Sequence, residues 1–235
     1  MSADRLPEEQ NLPEFISRSL LSKPDILKHY KLGNIIIDPF NIERVHTASV
    51  DVTLGPNHYR PHPESVRFYN PWDEETVRKY WGEPQYAPLA SELLEFFGNE
   101  LPENIRSDDR IILFRPHEMI LCHTNEFIGG RVKVTTMMKA RSSVGRSEFV
   151  ICSCAGWGDV GYTNRWTMEI RNNCDIWNLL IVGEHVGQIA FFEVTPLEES
   201  YVLDTGKYQT SDDIREIKNT WTPEAMLPKM WKDRQ

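Results

Sequence analysis

The feature that most constrains this chain is a series of short apolar runs between residues 110 and 195, each separated from the next by turn-forming residues. The runs are RIILF, EMILCHT, VKVTTMMKA, EFVICSCA, RWTMEIR, WNLLIVG and VGQIAFFEV. Runs of this length between turns are typical of an antiparallel sandwich, a jelly roll or a distorted barrel. The sequence therefore predicts a mainly β fold with a few short helices.

One of these runs, residues 165–171, carries a carboxylate in the middle of its polar face. Side chains alternate between the two faces of a strand, so Trp166, Met168 and Ile170 share one face and Glu169 lies on the other. The common interpretation is a half-buried strand whose glutamate lies in water. The alternative is that the polar face lines a cleft, where Glu169 performs acid–base chemistry.

Composition narrows the functions that the chain can have. Its 235 residues carry a net charge of −9, which disfavours sequence-independent binding to nucleic acid, because such binding needs a basic surface. Its 4 cysteines are too sparse for a secreted disulfide scaffold. The polar start MSADRLPEEQ does not resemble a signal peptide, and no apolar run approaches the ~20 residues of a membrane helix. We therefore expect a soluble, cytoplasmic protein without nucleic-acid or membrane partners.

The chain divides into an N-terminal extension (1–19), a main domain (20–205) and a polar C-terminal tail (206–235) that we expect to close on the site. Residues 57–108 within the main domain are rich in aromatic residues and are predicted to be an insertion carried by the β scaffold. Helices are predicted at 20–33, 73–82 and 89–98, each ended by a glycine.

The segment KARSSVGRSEF (139–149) combines basic and hydroxyl side chains with a glycine. Guanidinium groups, hydroxyls and free backbone N–H groups are the donors that bind phosphates. The residues concerned are Arg141, Ser142, Ser143 and Arg146. The alternative is a basic surface loop in which one of the serines caps a helix.

The segment AGWGDVGY (155–162) is a glycine-punctuated turn between two predicted strands. Asp159 within it could accept a hydrogen bond from a sugar hydroxyl. The more common role of such an aspartate is to satisfy the backbone of its own turn.

Cysteine and histidine spacing does not indicate a zinc site. Cys152 and Cys154 are separated by one residue within a predicted strand, whereas zinc sites usually show Cys-x-x-Cys spacing with further ligands. His62 and Glu64 form His-x-Glu, but no Pro-Cys-x-x-Cys follows, so the zinc deaminase signature is incomplete.

Taken in order, several stretches resemble the dCTP deaminase family of the dUTPase-like superfamily. They are LLSKPDILKHYKLGNIIIDPF, ASVDVTLG, KARSSVGR, CAGWGDVGYTNRWTMEIRN, VGEHVGQIAFFEVTPL and GKYQ. The resemblance implies a dUTPase-like distorted β-barrel or jelly roll, a homotrimer with active sites between subunits, and metal-independent attack of water on C4 of cytosine. It also implies Mg²⁺ bound through the nucleotide triphosphate, and dTTP as a candidate feedback inhibitor.

The resemblance also assigns roles to residues. Glu169 matches the general acid/base, and Ser142 and Arg146 match the pair that holds the water and the substrate near it. Ala155 matches the residue whose backbone lies beside the water. The positions that match substrate contacts are Arg141, Ser143, Asp159, Thr167, Lys207 and Tyr208.

Three functions remain open on this resemblance. The first is a dCTP deaminase that releases dUTP and ammonia, and the second is a bifunctional enzyme that also cleaves the triphosphate to give dUMP and pyrophosphate. The third is a non-catalytic nucleotide-binding regulator. The tail departs from the family because Ser211 stands where a glutamine would help to bind the phosphates. The insertion has no family counterpart of this length, and we expect it to enlarge the contact between subunits.

Overall fold

The computed structural model describes residues 19–197, 201 and 206–234, so almost all of the predicted N-terminal extension lies outside the described residues. The strands are β1 Ile35–Asp38, β2 Val50–Thr53, β3 Asn57–His58, β4 Gln85–Tyr86, β5 Ile111–Phe114, β6 Met119–Gly130, β7 Val134–Ala140, β8 Phe149–Val150, β9 Trp157–Gly158, β10 Thr163–Asn172, β11 Asn178–Ile181 and β12 His185–Glu193. The helices with full bounds are α1 Lys23–Lys31, α2 Glu74–Trp81, α3 Ser142–Arg146 and α4 Ile214–Thr220.

Two four-stranded antiparallel sheets form the body of the molecule. One has the order β1-β6-β10-β8 and the other the order β2-β12-β7-β9, while β5 pairs with β11 and β3 with β4. Both sheets contribute to one apolar core, which includes Ile35, Val52, Ile120, Met168 and Phe191. The mainly β fold with a few short helices that the sequence predicts is confirmed.

Two of the three predicted helices form. Helix α1 begins after Ser22 and is followed by Gly33, whose φ of +77° suits glycine. Helix α2 begins after Asp73, whose carboxylate accepts hydrogen bonds from the backbone N–H groups of the first turn.

The helix predicted at 89–98 is wrong over most of its length, since only a 3-10 turn forms, at Ala90–Leu93. The backbone N–H of Ala90 donates to the carbonyl of Asp109 at 2.7 Å, and that of Ser91 donates to the carbonyl of Ser107 at 3.1 Å. These donors therefore bind a neighbouring segment, which outweighs the helix propensity of the sequence.

The strand predicted at 148–155 is also shorter than expected. β8 ends at Val150, and the chain then turns, with the N–H of Ala155 donating to the carbonyl of Cys152 at 2.7 Å. Cys154 has a φ of +74°, which a strand residue does not adopt. The prediction that Cys152 and Cys154 lie within one strand is therefore wrong.

The insertion and the C-terminal tail pack together in a second, smaller apolar core. The insertion supplies Val77 and Trp81 from α2, and β6 supplies Leu121. The tail supplies Met226 and Trp231 from two 3-10 helices, Pro223–Met226 and Met230–Arg234. The long insertion thus has a partner within its own chain, next to strand β6.

Candidate active site

Strand β10 presents Glu169 as its alternating sequence predicts. Trp166, Met168 and Ile170 are buried in the main core, whereas Thr167 and Glu169 are only half-buried on the opposite face. In the antiparallel pairing with β6, Glu169 lies opposite Leu121. The polar face of β10 is therefore turned away from the main core, towards the second one.

This face lines a cavity of about 630 Å³ between β10, the loop before it, the insertion and the tail. Of the residues that the sequence singles out, the cavity brings together Ala155, Asp159, Thr167, Glu169 and Tyr208. A space of this size is typical of small-ligand sites. The polar face of β10 thus lines a cleft and is not an open solvated surface.

The carboxyl group of Glu169 is held in an apolar setting. Its Oε2 atom is buried and has no hydrogen-bond partner among the described residues. Burial raises the pKa of Glu169 above its ordinary value, because the charged form loses its hydration. A carboxyl with a raised pKa is a stronger base than an exposed glutamate, which suits a group that must take up a proton and return it.

The loop between β8 and β10 requires glycine at one position. A Cβ atom on Gly158 would lie 2.3 Å from Oγ1 of Thr136 and 2.4 Å from the ring of Trp166. The Gly158 carbonyl accepts a hydrogen bond from Oγ1 of Thr135 at 2.7 Å. This close packing holds the loop against β7 and leaves the exposed side chain of Asp159 at the rim of the cavity.

The Lys-Tyr-Gln segment of the tail is bound to the loop and to β10. Gln209 is 3% exposed, and its amide accepts from the N–H of Thr163 at 2.6 Å and donates to the carbonyl of Gly161 at 3.0 Å. Nδ2 of Asn164 donates to the carbonyl of Tyr208 at 2.9 Å. These bonds position the Tyr208 ring in the cavity wall.

Two other tail residues do not reach this cavity. Lys207 lines a neighbouring cavity of about 400 Å³ and forms an ion pair with Asp233. Ser211 accepts a hydrogen bond from the N–H of Asp213 at 3.1 Å and donates to Glu216 at 2.6 Å, so its hydroxyl supports the start of α4.

The phosphate-type motif lies elsewhere on this chain. Ser142, Ser143 and Arg146 are exposed on or beside α3 and do not line the cavity that contains Glu169. Arg141 forms an ion pair with Asp51, which is 1% exposed, and its Nη1 lies 2.9 Å from Nδ1 of His185. Within one chain, therefore, these four residues are not brought together with Glu169.

Sequence reasoning missed one side of the cavity, which we call the apolar wall. The wall consists of Tyr69, Pro71, Trp81, Met226, Pro228 and Met230. The insertion supplies the first three residues and the tail the last three. The only sequence signal was the density of aromatic residues, methionine and proline in two segments whose contact could not be foreseen.

The structure also bears on metals and membranes. Within residues 19–197, 201 and 206–234, no three His, Cys, Asp or Glu side chains converge on a point where they could hold a metal ion. The described helices include none that is long and apolar enough to cross a membrane.

Comparison with known proteins gives consistent results. A family model described as dCTP deaminase-like matches residues 20–194. A "dCTP deaminase, dUMP-forming" of Corynebacterium jeikeium is 31% identical over 193 residues, covering 81% of this chain and 91% of the relative. A protein of Nanoarchaeum equitans with the same name is 26% identical, covering 80% of this chain and 91% of the relative. A "dCTP deaminase" of Haloarcula marismortui is 25% identical, covering 81% and 89%.

One solved structure supports the fold alone. It is a 2'-deoxycytidine 5'-triphosphate deaminase from Agrobacterium tumefaciens, with a TM-score of 0.53 and 15% sequence identity. The match covers 83% of this chain and 54% of that one, so the chain spans about half the length of that structure. Because the family model matches residues 20–194, which is well over half of the chain, the chain belongs to the dCTP deaminase-like family.

Proposed function

We propose that this protein is a bifunctional dCTP deaminase, which converts dCTP and water to dUMP, ammonia and pyrophosphate. The observation that carries the deaminase assignment is Glu169, whose Oε2 atom is buried without a hydrogen-bond partner among the described residues, at the edge of a cavity of about 630 Å³. The names of the relatives support the second step, since those from Corynebacterium jeikeium and Nanoarchaeum equitans are called dUMP-forming. The simple deaminase, which would stop at dUTP, is the alternative.

In the proposed deamination, Glu169 moves a proton twice. Its carboxylate takes a proton from water, and the resulting hydroxide attacks C4 of cytosine to form a tetrahedral centre. The carboxylic acid then returns the proton to the C4 amino group, the C4–N bond breaks, and ammonia leaves. The raised pKa of Glu169 suits this role, because burial makes its carboxylate a stronger base than an exposed glutamate.

The other proposed contacts surround this centre. The backbone of Ala155 would lie beside the attacking water, the backbone of Thr167 would bind the pyrimidine edge, and Asp159 would accept a hydrogen bond from the sugar. Tyr208 would pack on the substrate from the tail. Lys207 would contact a phosphate after leaving its ion pair with Asp233.

We also propose that a homotrimer completes the site. Ser142 and Arg146 are exposed on α3 of their own chain, so they are free to reach a neighbouring subunit and to hold the water and the substrate near Glu169 there. Arg141 and Ser143 would bind the triphosphate from the same side. Mg²⁺, bound through the triphosphate oxygens, would neutralise part of their charge, and dTTP would compete for the same pocket as a feedback inhibitor.

A product assay tests this function. The pure protein is mixed with dCTP and Mg²⁺, nucleotides are resolved by ion-exchange chromatography, and ammonia and pyrophosphate are measured in parallel. We expect equal amounts of dUMP, ammonia and pyrophosphate, and we expect Glu169→Gln to abolish ammonia release. Accumulation of dUTP would instead establish the simple deaminase. Unchanged dCTP would refute both and would favour a nucleotide-binding regulator.

A further inference from the structure

An apolar surface that begins directly beside Glu169 leads to the apolar wall. Leu121 lies opposite Glu169 on β6 and exchanges two backbone hydrogen bonds with Tyr59, of 2.8 and 3.0 Å. It also packs with Trp81 and Met226 in the second apolar core. Leu121 also lines the cavity, as does Met119. The apolar surface therefore runs without a break from the strand next to the carboxyl into the insertion and the tail.

Two tyrosine hydroxyls near this surface accept hydrogen bonds from other groups of the protein. The hydroxyl of Tyr69 accepts a hydrogen bond from Nε1 of Trp81 at 3.4 Å. The hydroxyl of Tyr208 accepts one from the backbone N–H of Lys229 at 3.2 Å. The proline and methionine side chains of the wall carry no N–H or O–H group, so a substrate group that lies against them would contact mainly carbon.

The geometry of cytosine indicates which substrate group this is. C5 is bonded directly to C4, the carbon that water attacks when Glu169 acts as proposed above. A substituent on C5 therefore lies within a few ångströms of whatever surrounds the C4 amino group, and here that includes the apolar surface that starts at Leu121. A methyl group on C5 would remove more of this apolar surface from water than a C5–H group would.

We propose that the apolar wall selects a cytosine nucleotide that carries a methyl group on C5, so that 5-methyl-dCTP is the preferred substrate. This inference rests on the deaminase activity proposed above and adds the class of substrate. The reaction is the same: the oxygen of water bonds to C4, the C4–N bond breaks, and the nitrogen leaves as ammonia. No oxidant or reductant is needed. The deaminated product is dTTP, or dTMP and pyrophosphate when the triphosphate is also cleaved.

A hydroxyl on the same substituent is disfavoured. A hydroxymethyl group would lose its hydrogen bonds to water on entering the apolar region, where the tyrosine hydroxyls already interact with Trp81 and Lys229. The order expected for kcat/KM is 5-methyl-dCTP first, then dCTP and 5-hydroxymethyl-dCTP.

A competition experiment tests the preference. The full chain is given equimolar dCTP and 5-methyl-dCTP with Mg²⁺, and both deaminated products are measured over time. We expect kcat/KM to favour the methylated nucleotide about tenfold, the usual scale for one methyl group in an apolar pocket. Equal use of both, or a preference for dCTP, would overturn this inference and leave the proposed deaminase intact. If neither nucleotide loses ammonia, the proposed function itself fails.

Variants locate the preference. Met230→Gln keeps the length of the side chain but introduces an amide into the wall, so the ratio of the two kcat/KM values should fall several-fold. Met137→Gln is the matched control, because Met137 is also half-buried but lies on β7 outside the cavity, and the ratio should stay the same. Pro71→Ser makes the same test from the insertion if Met230→Gln does not fold. A ratio that is unchanged in folded wall variants would contradict the role of the wall.

Discussion

At the scale of single residues, burial of the Glu169 carboxyl lowers the stability of the fold and makes the group suitable for proton transfer. A carboxyl that is buried with one oxygen unpartnered loses hydration that nothing in the described chain replaces. The cost appears as a raised pKa, because the protein can avoid the charge only by retaining the proton. Such a group is a poor choice for a structural position and a suitable one for proton transfer.

Because the pKa of Glu169 is raised in the folded protein, its effect on stability depends on pH, which gives a prediction for Glu169→Gln. Because the pKa is higher in the folded state than in the unfolded state, Glu169 is least destabilising below the unfolded value and most destabilising above the folded value. The wild-type protein should therefore lose stability relative to Glu169→Gln as the pH rises above the ordinary glutamate pKa of about 4. Thermal unfolding of both proteins across this range measures the difference.

Glu103→Gln is the control for this measurement, because Glu103 is exposed in the insertion. Its difference from the wild type should stay nearly constant with pH. A constant gap between the wild type and Glu169→Gln would show that burial of the carboxyl carries no such cost.

At the scale of elements, the tail is held to the body by aromatic and cation–π contacts as well as by the Gln209 hydrogen bonds. Trp221, directly after α4, lies with its ring centroid 4.7 Å from that of His123 and 4.7 Å from the guanidinium carbon of Arg165. Arg165 in turn lies 4.9 Å from the centroid of Phe127. Contacts of a cation with two rings stabilise a docked segment when the cation is partly desolvated.

Replacing Trp221 should loosen the tail and, through it, the cavity wall. We expect Trp221→Ala to lower the free energy of unfolding by about 2 kcal/mol and to speed proteolytic cleavage of the tail. KM for the nucleotide should rise, because Tyr208 and the tail half of the apolar wall would no longer be held in place.

The matched control is Trp177→Ala, because Trp177 is 46% exposed and does not line the Glu169 cavity. Limited proteolysis, denaturant unfolding and steady-state kinetics on both variants make the comparison. An unchanged cleavage rate in Trp221→Ala would mean that the second apolar core alone holds the tail.

At the scale of the whole molecule, one chain holds the two halves of the predicted chemistry apart. Glu169 lies in the cavity, while Ser142 and Arg146 lie exposed on α3 outside it. A homotrimer with shared sites would join them, and each site would then combine Glu169 of one subunit with Arg146 of the next.

Subunit mixing tests this arrangement. Glu169→Gln and Arg146→Ala should each be inactive alone. After joint refolding in equal amounts, about a quarter of the sites should combine two intact residues, so about a quarter of the wild-type activity should return. Refolding each variant alone is the control. A mixture that stays inactive, with trimers present by light scattering, would place both residues in the same subunit's site.

The sequence by itself determined most of the β scaffold. The short apolar runs and their turns predicted the longest strands of both sheets, β6, β7, β10 and β12, whereas β9 forms within a segment predicted to be a turn. The alternation in β10 placed Glu169 on the face opposite the main core, because a strand has only two faces. The helix predicted at 89–98 is wrong because Ala90 donates its backbone N–H to Asp109 instead of to a helical partner. The strand predicted at 148–155 is wrong beyond Val150 because the chain forms a local turn there.

Only the tertiary structure decided what surrounds Glu169. Residues 57–108 and the tail are far apart in sequence, and the hydrophobic periodicity of either segment does not predict that Trp81 packs near Met226. The environment of a carboxyl, and hence its pKa, depends on such long-range contacts, because desolvation is set by every group packed around it. The sequence determined the strand and the acid on it, and the fold decided that this acid lies in a cavity with an apolar wall.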